Sequence, residues 1–231
     1  MARSRTDCQE LLDLVLQFPL LGRQFSRVLV LGSHSDDIEI GCGGTLLALT
    51  RARPEIDVTW VVLGAEGVRE GEARASGETF LASAARSNVI VHGFRDGFFP
   101  YVGGEIKDVF EELKRTVQPE VIFTHARDDL HQDHRLVCEL TWNTWRDHLI
   151  LEYEIPKYDG DLGTPNVFVS IDQALAREKA QLIAHAFQSQ STKHWFDEEL
   201  FLGLMRVRGM EARSPTGFAE AFTCRKLSLE I

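Results

Sequence analysis

The chain has 231 residues, of which 44% are hydrophobic and 26% are charged, and its formal net charge at pH 7 is −10. This composition is that of an ordinary globular protein, and it excludes a disordered chain, a collagen-like chain and a small disulfide scaffold. The acidic excess, without any basic stripe in the sequence, argues against a nucleic-acid partner.

The first predicted element is an N-terminal helix, which Thr6 or Asp7 caps and Pro19 ends. After it, short apolar runs alternate four times with helix-compatible stretches. The predicted strands are 27–32, 57–63, 88–91 and 120–124, and the predicted helices are 44–51, 70–86, 105–117 and 135–147. This alternation is typical of a Rossmann-like α/β fold, an open and mostly parallel sheet with helices on both faces.

The C-terminal third of the chain is predicted to complete the same sheet and to shape its pocket. It contains strands at 149–155 and 167–171, helices at 173–187 and 195–207, and a last strand at 218–227. A loop rich in proline, glycine and aspartate joins the first two of these strands. Because no linker interrupts the sequence, we expect a single domain over residues 1–231, with residues 1–26 as a helical extension.

Several features predict where the protein is found. No window holds 18 consecutive apolar residues, and the N-terminal residues lack the apolar stretch of a signal peptide. The four cysteines have none of the spacings of a zinc knuckle and are typical of free thiols in a reducing compartment. We therefore expect a cytoplasmic protein without a membrane span, and the oligomeric state stays open.

Two polar clusters follow predicted strands. The first, 33–39, comes directly after the first strand, and the second, 125–134, comes after the fourth strand. In a sheet with strand order 3-2-1-4 these two strands are neighbours at the point where the strand order reverses, and ligands of such sheets bind there. The sequence therefore predicts that both clusters meet in one crevice.

The residue types in these clusters suit a catalytic metal site. Histidine and aspartate are ordinary zinc ligands, and a catalytic zinc keeps three protein ligands and a water molecule. His34, Asp37 and one histidine of the pair His131 and His134 would form such a set. Asp36 would remain beside the ligands as a general base, and the other histidine would protonate a leaving group or stabilise an oxyanion.

The motifs HSDDIEIGCGGT at 34–45 and HQDH at 131–134 resemble those of the PIG-L (LmbE-like) family of metal-dependent N-deacetylases. Members of that family carry an HPDDE-type loop after the first strand and an HxDH motif after a later strand. The resemblance extends over roughly residues 28–222. Its weaker matches are Arg74 with Glu78, the segment 94–97, Ser189 with Gln190, and the segment 218–222.

The resemblance implies a zinc ion held by His34, Asp37 and His134, and the same ligand types also suit Fe²⁺. It implies that Asp36 is the general base. His131, tuned by Asp133, would act on the tetrahedral intermediate or on the leaving amine.

The substrate that the resemblance implies is an N-acetylglucosamine-type amino sugar or its conjugate, which would lose its N-acetyl group. Arg74, Asp96 and Asp129 would contact this substrate. Asp129 would occupy the position where family members often place a tyrosine that polarises the amide oxygen.

The sequence departs from the family pattern at three positions. Ser35 replaces a proline, Ile38 replaces a glutamate, and Asp129 replaces the tyrosine. These departures keep a second class open, a non-catalytic sugar- or nucleotide-binding α/β protein with a degenerate metal site.

Other residues near the motifs have plainer interpretations. Gly41, Gly43 and Gly44 lack the full GxGxxG spacing of a dinucleotide site, so we attribute them to close packing. His125 ends a strand, where packing or support behind the site is expected. Arg69 and Arg74 either contact a phosphate of a nucleotide-sugar or lie on a solvated face.

Overall fold

A computed structural model describes residues 25–227 of the chain, so the predicted N-terminal helix lies outside the described residues. The described strands form one seven-stranded sheet in the order β3-β2-β1-β4-β5-β7-β6. Strands β1 to β5 pair in parallel, and β7 pairs antiparallel with both β5 and β6. The strands are β1 (Arg27–His34), β2 (Asp57–Gly64), β3 (Arg86–Val91), β4 (Val121–His125), β5 (Leu149–Tyr153), β6 (Val167–Ile171) and β7 (Phe218–Thr223).

Within residues 25–227, six α-helices cover the two faces of this sheet. They are α1 (Asp37–Ala52), α2 (Val68–Phe80), α3 (Gly103–Thr116), α4 (Gln132–Thr144), α5 (Gln173–Ala186) and α6 (Glu198–Glu211). Helices α1, α2, α5 and α6 contribute to one buried core, and α3 and α4 contribute to the other. The predicted α/β class, with a mostly parallel sheet and helices on both faces, is therefore confirmed.

Strand β1 shows how the sequence builds both cores. Its side chains alternate between the two faces of the sheet, as they must in any strand. Val28 and Val30 enter the core under α1, whereas Leu29 and Leu31 enter the core under α3. Because both faces are buried, the strand has a continuous apolar sequence, which made it easy to recognise.

The strand order reverses between β1 and β4. From β1 the chain proceeds to β2 and β3 on one side, and it then returns to place β4 on the other side. The predicted order 3-2-1-4 is thus present in the sheet. The carboxyl ends of β1 and β4 lie side by side, and the two polar clusters extend from them.

Helix α1 begins at Asp37, seven residues before its predicted start at Gly44. Glycine is unfavourable inside helices, and three glycines in this segment concealed the first two turns. Packing explains two of them. A Cβ atom at Gly41 would lie 2.2 Å from the ring of Tyr153, and one at Gly43 would lie 2.6 Å from the ring of Phe80. The glycines allow α1 to approach its neighbours closely, as the sequence interpretation proposed.

The other predicted helices have bounds that differ from those in the structure by up to six residues, and two of these differences matter here. Helix α2 stops at Phe80 instead of residue 86, because the chain turns there and enters β3. Helix α4 starts at Gln132, with His131 as its N-cap, so the HQDH motif occupies the cap and first turn of the helix. Among the described residues, no helix combines the length and apolarity needed to cross a membrane.

A buried ion pair fixes α1 to the C-terminal part of the fold. Lys179 Nζ lies 2.6 Å from Glu220 Oε1, and both side chains are almost completely buried. Glu220 also accepts hydrogen bonds from the backbone amides of Gly44 and Thr45, and Lys179 donates to the carbonyl of Ile40. The glutamate of β7 therefore anchors the helix that begins at the polar cluster.

Candidate metal centre

Three ligand-type atoms from the two motifs form a nearly equilateral triangle. His34 Nδ1 lies 3.2 Å from His134 Nε2. Asp37 Oδ2 lies 3.4 Å from His34 Nδ1 and 3.5 Å from His134 Nε2. Tetrahedral zinc ligands with bonds of about 2.0–2.2 Å lie about 3.3–3.6 Å apart, so this triangle fits one divalent ion.

Each histidine of the triangle has a carboxylate at its other ring nitrogen. His134 Nδ1 lies 2.9 Å from Asp129 Oδ2, and His34 Nε2 lies 3.1 Å from Asp133 Oδ2. A carboxylate partner of this kind fixes the orientation and tautomer of a metal-binding histidine and makes the ring a stronger ligand. The arrangement leaves His34 Nδ1 and His134 Nε2 as the nitrogens that are free to bind a metal.

The charges of the triangle support one another. Burial alone would raise the pKa of Asp37, but His134, His125 and His34 surround it and lower the pKa well below its usual range. Burial also lowers the pKa of His34, and the neighbouring carboxylates outweigh this and raise it well above its usual value. The ligand set therefore contains a carboxylate that stays ionised.

The same elements bring other ligand types close together. His34, His131 and His134 form a second group of suitable spacing, and Asp37, His125 and His134 form a third. A fourth group combines His34 and His131 with Asp96 and Asp133. The groups overlap, so they describe alternative ligand sets for one region of the protein.

His125 lies behind His134 instead of on the open side of the cluster. Its ring stacks on the His134 ring with centroids 3.9 Å apart. The amide of Ser33 donates to His125 Nε2 at 2.9 Å and so occupies the lone pair that a metal would need. Burial and the neighbouring His134 lower the pKa of His125 to about 4, which keeps the ring neutral at pH 7. The geometry agrees with the interpretation of His125 as support for the site.

Asp36 is buried beside the triangle, and its Oδ2 atom has no hydrogen-bond partner among the described residues. Burial and the adjacent Asp37 raise the pKa of Asp36 to about 6. A carboxylate with a pKa close to neutral is well suited to accept a proton. An unpaired buried carboxyl oxygen costs free energy of folding. This oxygen is therefore available to bind a group that is not part of the protein.

His131 lies at the opening of the cluster and is only half-buried. Its Nδ1 accepts a hydrogen bond from the amide of Asp133 at 3.2 Å, so the neutral ring carries its proton on Nε2. Burial, His134 and His34 lower the pKa of His131, which favours the neutral ring. This ring can therefore donate a hydrogen bond from Nε2.

The carboxylate of Asp133 contacts His34 directly rather than His131, although its charge still opposes the lowering of the His131 pKa. Asp133 also accepts from the amides of Gly97 and Phe99 at 2.7 and 3.1 Å. Only its backbone amide contacts His131. The reason is local: His131 caps α4, and the side chain of Asp133 in the first turn faces the loop that follows β3.

Asp129 is also placed differently from its expected substrate contact. Its side chain is 2% exposed and binds His134, the amide of His131 at 2.8 Å, and Lys157 at 2.9 Å. Lys157 belongs to the loop after β5, and it also binds Asp161. Sequence reasoning missed both loop residues because neither belongs to a motif and the loop has no regular periodicity.

Arg74, expected at the substrate, hydrogen-bonds Glu70 and the carbonyls of Val89 and Val91. Arg69 instead reaches the cluster, where it donates to Ser35 Oγ at 3.2 Å and to Asp96 Oδ2 at 3.0 Å. Five residues along a helix correspond to about 500° of rotation and about 7.5 Å of rise, so the two arginines cannot share a location. The usable signal was that Arg69 lies five residues after the end of β2, in the first turn of α2 and closer to the strand end than Arg74.

Asp96, the other residue predicted to contact substrate, lies beside the His/Asp cluster, and its substrate contact stays a prediction. Its Oδ1 lies 3.1 Å from His34 Nε2, and half of its side chain is exposed. The hydrogen bond to His34 lowers the pKa of Asp96 well below its usual range. Asp96 and His131 are thus the acidic and imidazole groups that solvent reaches at this cluster.

Like Asp129, the other two departures from the family pattern have structural partners. The Ser35 hydroxyl accepts from Arg69, and Ile38 is fully buried in the core under α1. Neither residue occupies the triangle. The departures therefore leave the proposed ligand atoms intact.

Comparisons with known proteins agree with this fold and these motifs. The model of the family PIG-L: GlcNAc-PI de-N-acetylase matches residues 29–145, which include both motifs. The chain belongs to this family, which confirms the resemblance seen in the sequence.

Solved structures share the fold at low sequence identity. N,N'-diacetylchitobiose deacetylase from Pyrococcus horikoshii is 20% identical, with a TM-score of 0.70 over 97% of this chain and 94% of that one. The 4-carboxy-2-hydroxymuconate hydratase GalB from Pseudomonas putida KT2440 is 17% identical, with a TM-score of 0.67 over 89% and 98%. The zinc-inhibited form of teicoplanin deacetylase Orf2 is 14% identical, with a TM-score of 0.67 over 88% and 100%.

Proposed function

We propose that this protein is a metal-dependent hydrolase that removes the N-acetyl group from an N-acetylglucosamine-type amino sugar or its conjugate. The observation that supports this proposal most directly is the triangle of His34 Nδ1, Asp37 Oδ2 and His134 Nε2. A carboxylate contacts the other ring nitrogen of each histidine. Family membership and the deacetylases among the similar structures support the reaction class.

The ion that we propose for this triangle is Zn²⁺, with Fe²⁺ as the alternative, because two histidines and one aspartate suit both. When bound, such an ion would supply Lewis acidity and make water acidic enough to be deprotonated near neutral pH. One similar protein is described as zinc-inhibited, which is a reason to test both metals.

The remaining steps fall to the side chains around the triangle. Asp36, with its unpaired oxygen and raised pKa, would take the proton from the attacking water. His131 would donate a hydrogen bond from Nε2 to the carbonyl oxygen as negative charge develops there, and Asp36 would pass the proton that it took from water to the nitrogen of the leaving amine. Asp96 and Arg69 at the opening would hold hydroxyl groups of the sugar.

Acetate release tests this function. Protein loaded with Zn²⁺ or Fe²⁺ is incubated with N-acetylglucosamine, its simple glycosides and UDP-N-acetylglucosamine, and acetate is measured. We expect release from at least one compound, and we expect His134→Ala to lose both metal and release. His185→Ala, which removes an exposed histidine of α5, is the matched control and should behave like the wild type.

A second candidate is a non-catalytic sugar-binding protein with the same fold. It predicts saturable sugar binding without acetate release even when one metal ion is bound per chain. Acetate release that is unchanged in Asp36→Ala would instead contradict the proposed role of Asp36 as the base.

A further inference from the structure

Most of the large apolar side chains that are exposed among the described residues belong to segments at the carboxyl edge of the sheet, the edge from which the His/Asp cluster extends. Of the ten large apolar side chains that are exposed among the described residues, six belong to segments that follow the carboxyl ends of β2, β3, β4 and β5. They are Val68, Phe98, Tyr101, Leu130, Tyr158 and Leu162. Exposed apolar groups scattered singly need no explanation, but a set gathered at one edge of a sheet indicates a binding surface.

Phe98 and Tyr101 are the members of this set that are most firmly tied to the cluster. We call them the rim pair. They flank Phe99, whose ring lies 5.8 Å from the His34 ring and whose amide donates to Asp133. The amide of Gly97 donates to the same carboxylate, and Gln132 donates to the carbonyl of Gly97. The loop that carries the rim pair is therefore held directly against the proposed ligand His34.

The rim pair is also ordered by its own contacts. The two rings lie 5.8 Å apart, and the guanidinium of Arg95 covers the Phe98 ring at 3.7 Å. Nevertheless Tyr101 is 77% exposed and Phe98 is 39% exposed. An aromatic surface that is supported from one side and open on the other is preorganised to pack against a flat or apolar group.

We propose that the rim pair is a subsite for an apolar, preferably aromatic, group attached to the amino sugar of the substrate. This inference rests on the proposed function, because it takes the His/Asp cluster as the place where the acetamido group reacts. The rim pair shares its loop with Asp96, which the proposed function assigns to the sugar, so a substituent next to that sugar would come within reach of the two rings. The substrate class is then an N-acetylglucosaminide with an aryl or similarly apolar substituent.

The binding test compares two ligands that differ only in this substituent. Metal-loaded Asp36→Asn is titrated calorimetrically with the phenyl and the methyl glycosides of N-acetyl-β-D-glucosamine, so that neither ligand is consumed. We expect the phenyl glycoside to bind about 5- to 10-fold more tightly, the range that one good aromatic contact supplies. Adding Phe98→Ala and Tyr101→Ala should reduce the difference to about twofold or less.

Adding Met210→Ala, which removes an exposed apolar side chain of α6, is the control and should leave the difference unchanged. Equal binding of the two glycosides, absence of binding of either, or a preference that survives in the rim variant would overturn the subsite. The subsite would also be overturned if the wild-type protein were a dimer, the rim variant were a monomer, and both had the same preference for the phenyl glycoside. Tighter binding of the phenyl glycoside without acetate release from any compound would contradict the proposed function but would still support the subsite.

Discussion

Replacing Asp129 with asparagine is expected to weaken metal binding while leaving the fold intact. The carboxylate of Asp129 lies 2.9 Å from His134 Nδ1, and its side chain is almost fully buried. Asparagine keeps the size of the side chain, and its amide oxygen can still accept one hydrogen bond. It removes the negative charge that makes His134 a stronger ligand and fixes its tautomer.

The expected loss of metal affinity follows from the role of Asp129 as the carboxylate partner of His134. Loss of such a carboxylate partner typically costs about 10- to 100-fold in metal affinity, which corresponds to about 1.4–2.8 kcal/mol. The other two contacts of Asp129, the amide of His131 and Lys157, are not contacts to the metal ligands. We therefore expect the loss to be seen mainly in metal affinity rather than in the stability of the metal-free protein.

Competition with a chelator of known zinc affinity measures the dissociation constant of the metal. Asp128→Asn is the matched control, because Asp128 is the preceding residue, carries the same charge and is exposed. Thermal unfolding of the metal-free proteins separates affinity from folding. An Asp129→Asn protein that holds zinc within twofold of the wild type, with normal unfolding, would refute the reasoning about His134.

Three further predictions concern Asp36, His125 and the buried ion pair of Lys179 with Glu220. Asp36→Asn should lower kcat by about 10²- to 10⁴-fold while zinc stoichiometry stays at the wild-type value; steady-state rates and metal analysis check this. His125→Phe keeps a ring against His134 but leaves the Ser33 amide unpaired, which costs about 1–3 kcal/mol of stability. The urea midpoint of His125→Phe should therefore fall below that of His125→Gln, because glutamine retains a hydrogen-bond acceptor. Lys179→Met leaves Glu220 buried and unpaired and should destabilise the protein by about 3–5 kcal/mol in urea denaturation, and adding Glu220→Gln should restore part of the loss.

The strand order and the meeting of the two motifs could be predicted because both depend on simple patterns. Buried parallel strands have continuous apolar sequences, and four alternations with helices leave few topologies. Once β1 and β4 are neighbours, the clusters at their carboxyl ends must meet. The glycines of α1 concealed where that helix begins, since helix propensity disfavours glycine and only tertiary packing against Tyr153 and Phe80 explains it.

The contacts around the triangle could not be predicted from the motifs alone. Whether a carboxylate faces His34 or His131 depends on where α4 begins, and a shift of a few residues changes the direction of the Asp133 side chain. The same argument applies to Arg69 and Arg74, which differ by five positions on α2. Lys157 reaches Asp129 from a loop whose conformation no periodic pattern specifies.

The central claim is that one divalent ion is bound by His34, Asp37 and His134. Anomalous diffraction at the zinc edge from crystals of zinc-loaded protein tests it most directly. The account predicts one peak about 2.0–2.2 Å from His34 Nδ1, Asp37 Oδ2 and His134 Nε2. A peak held instead by His34 Nε2, Asp96 and His131, or no peak at the triangle in crystals shown to contain zinc, would contradict it.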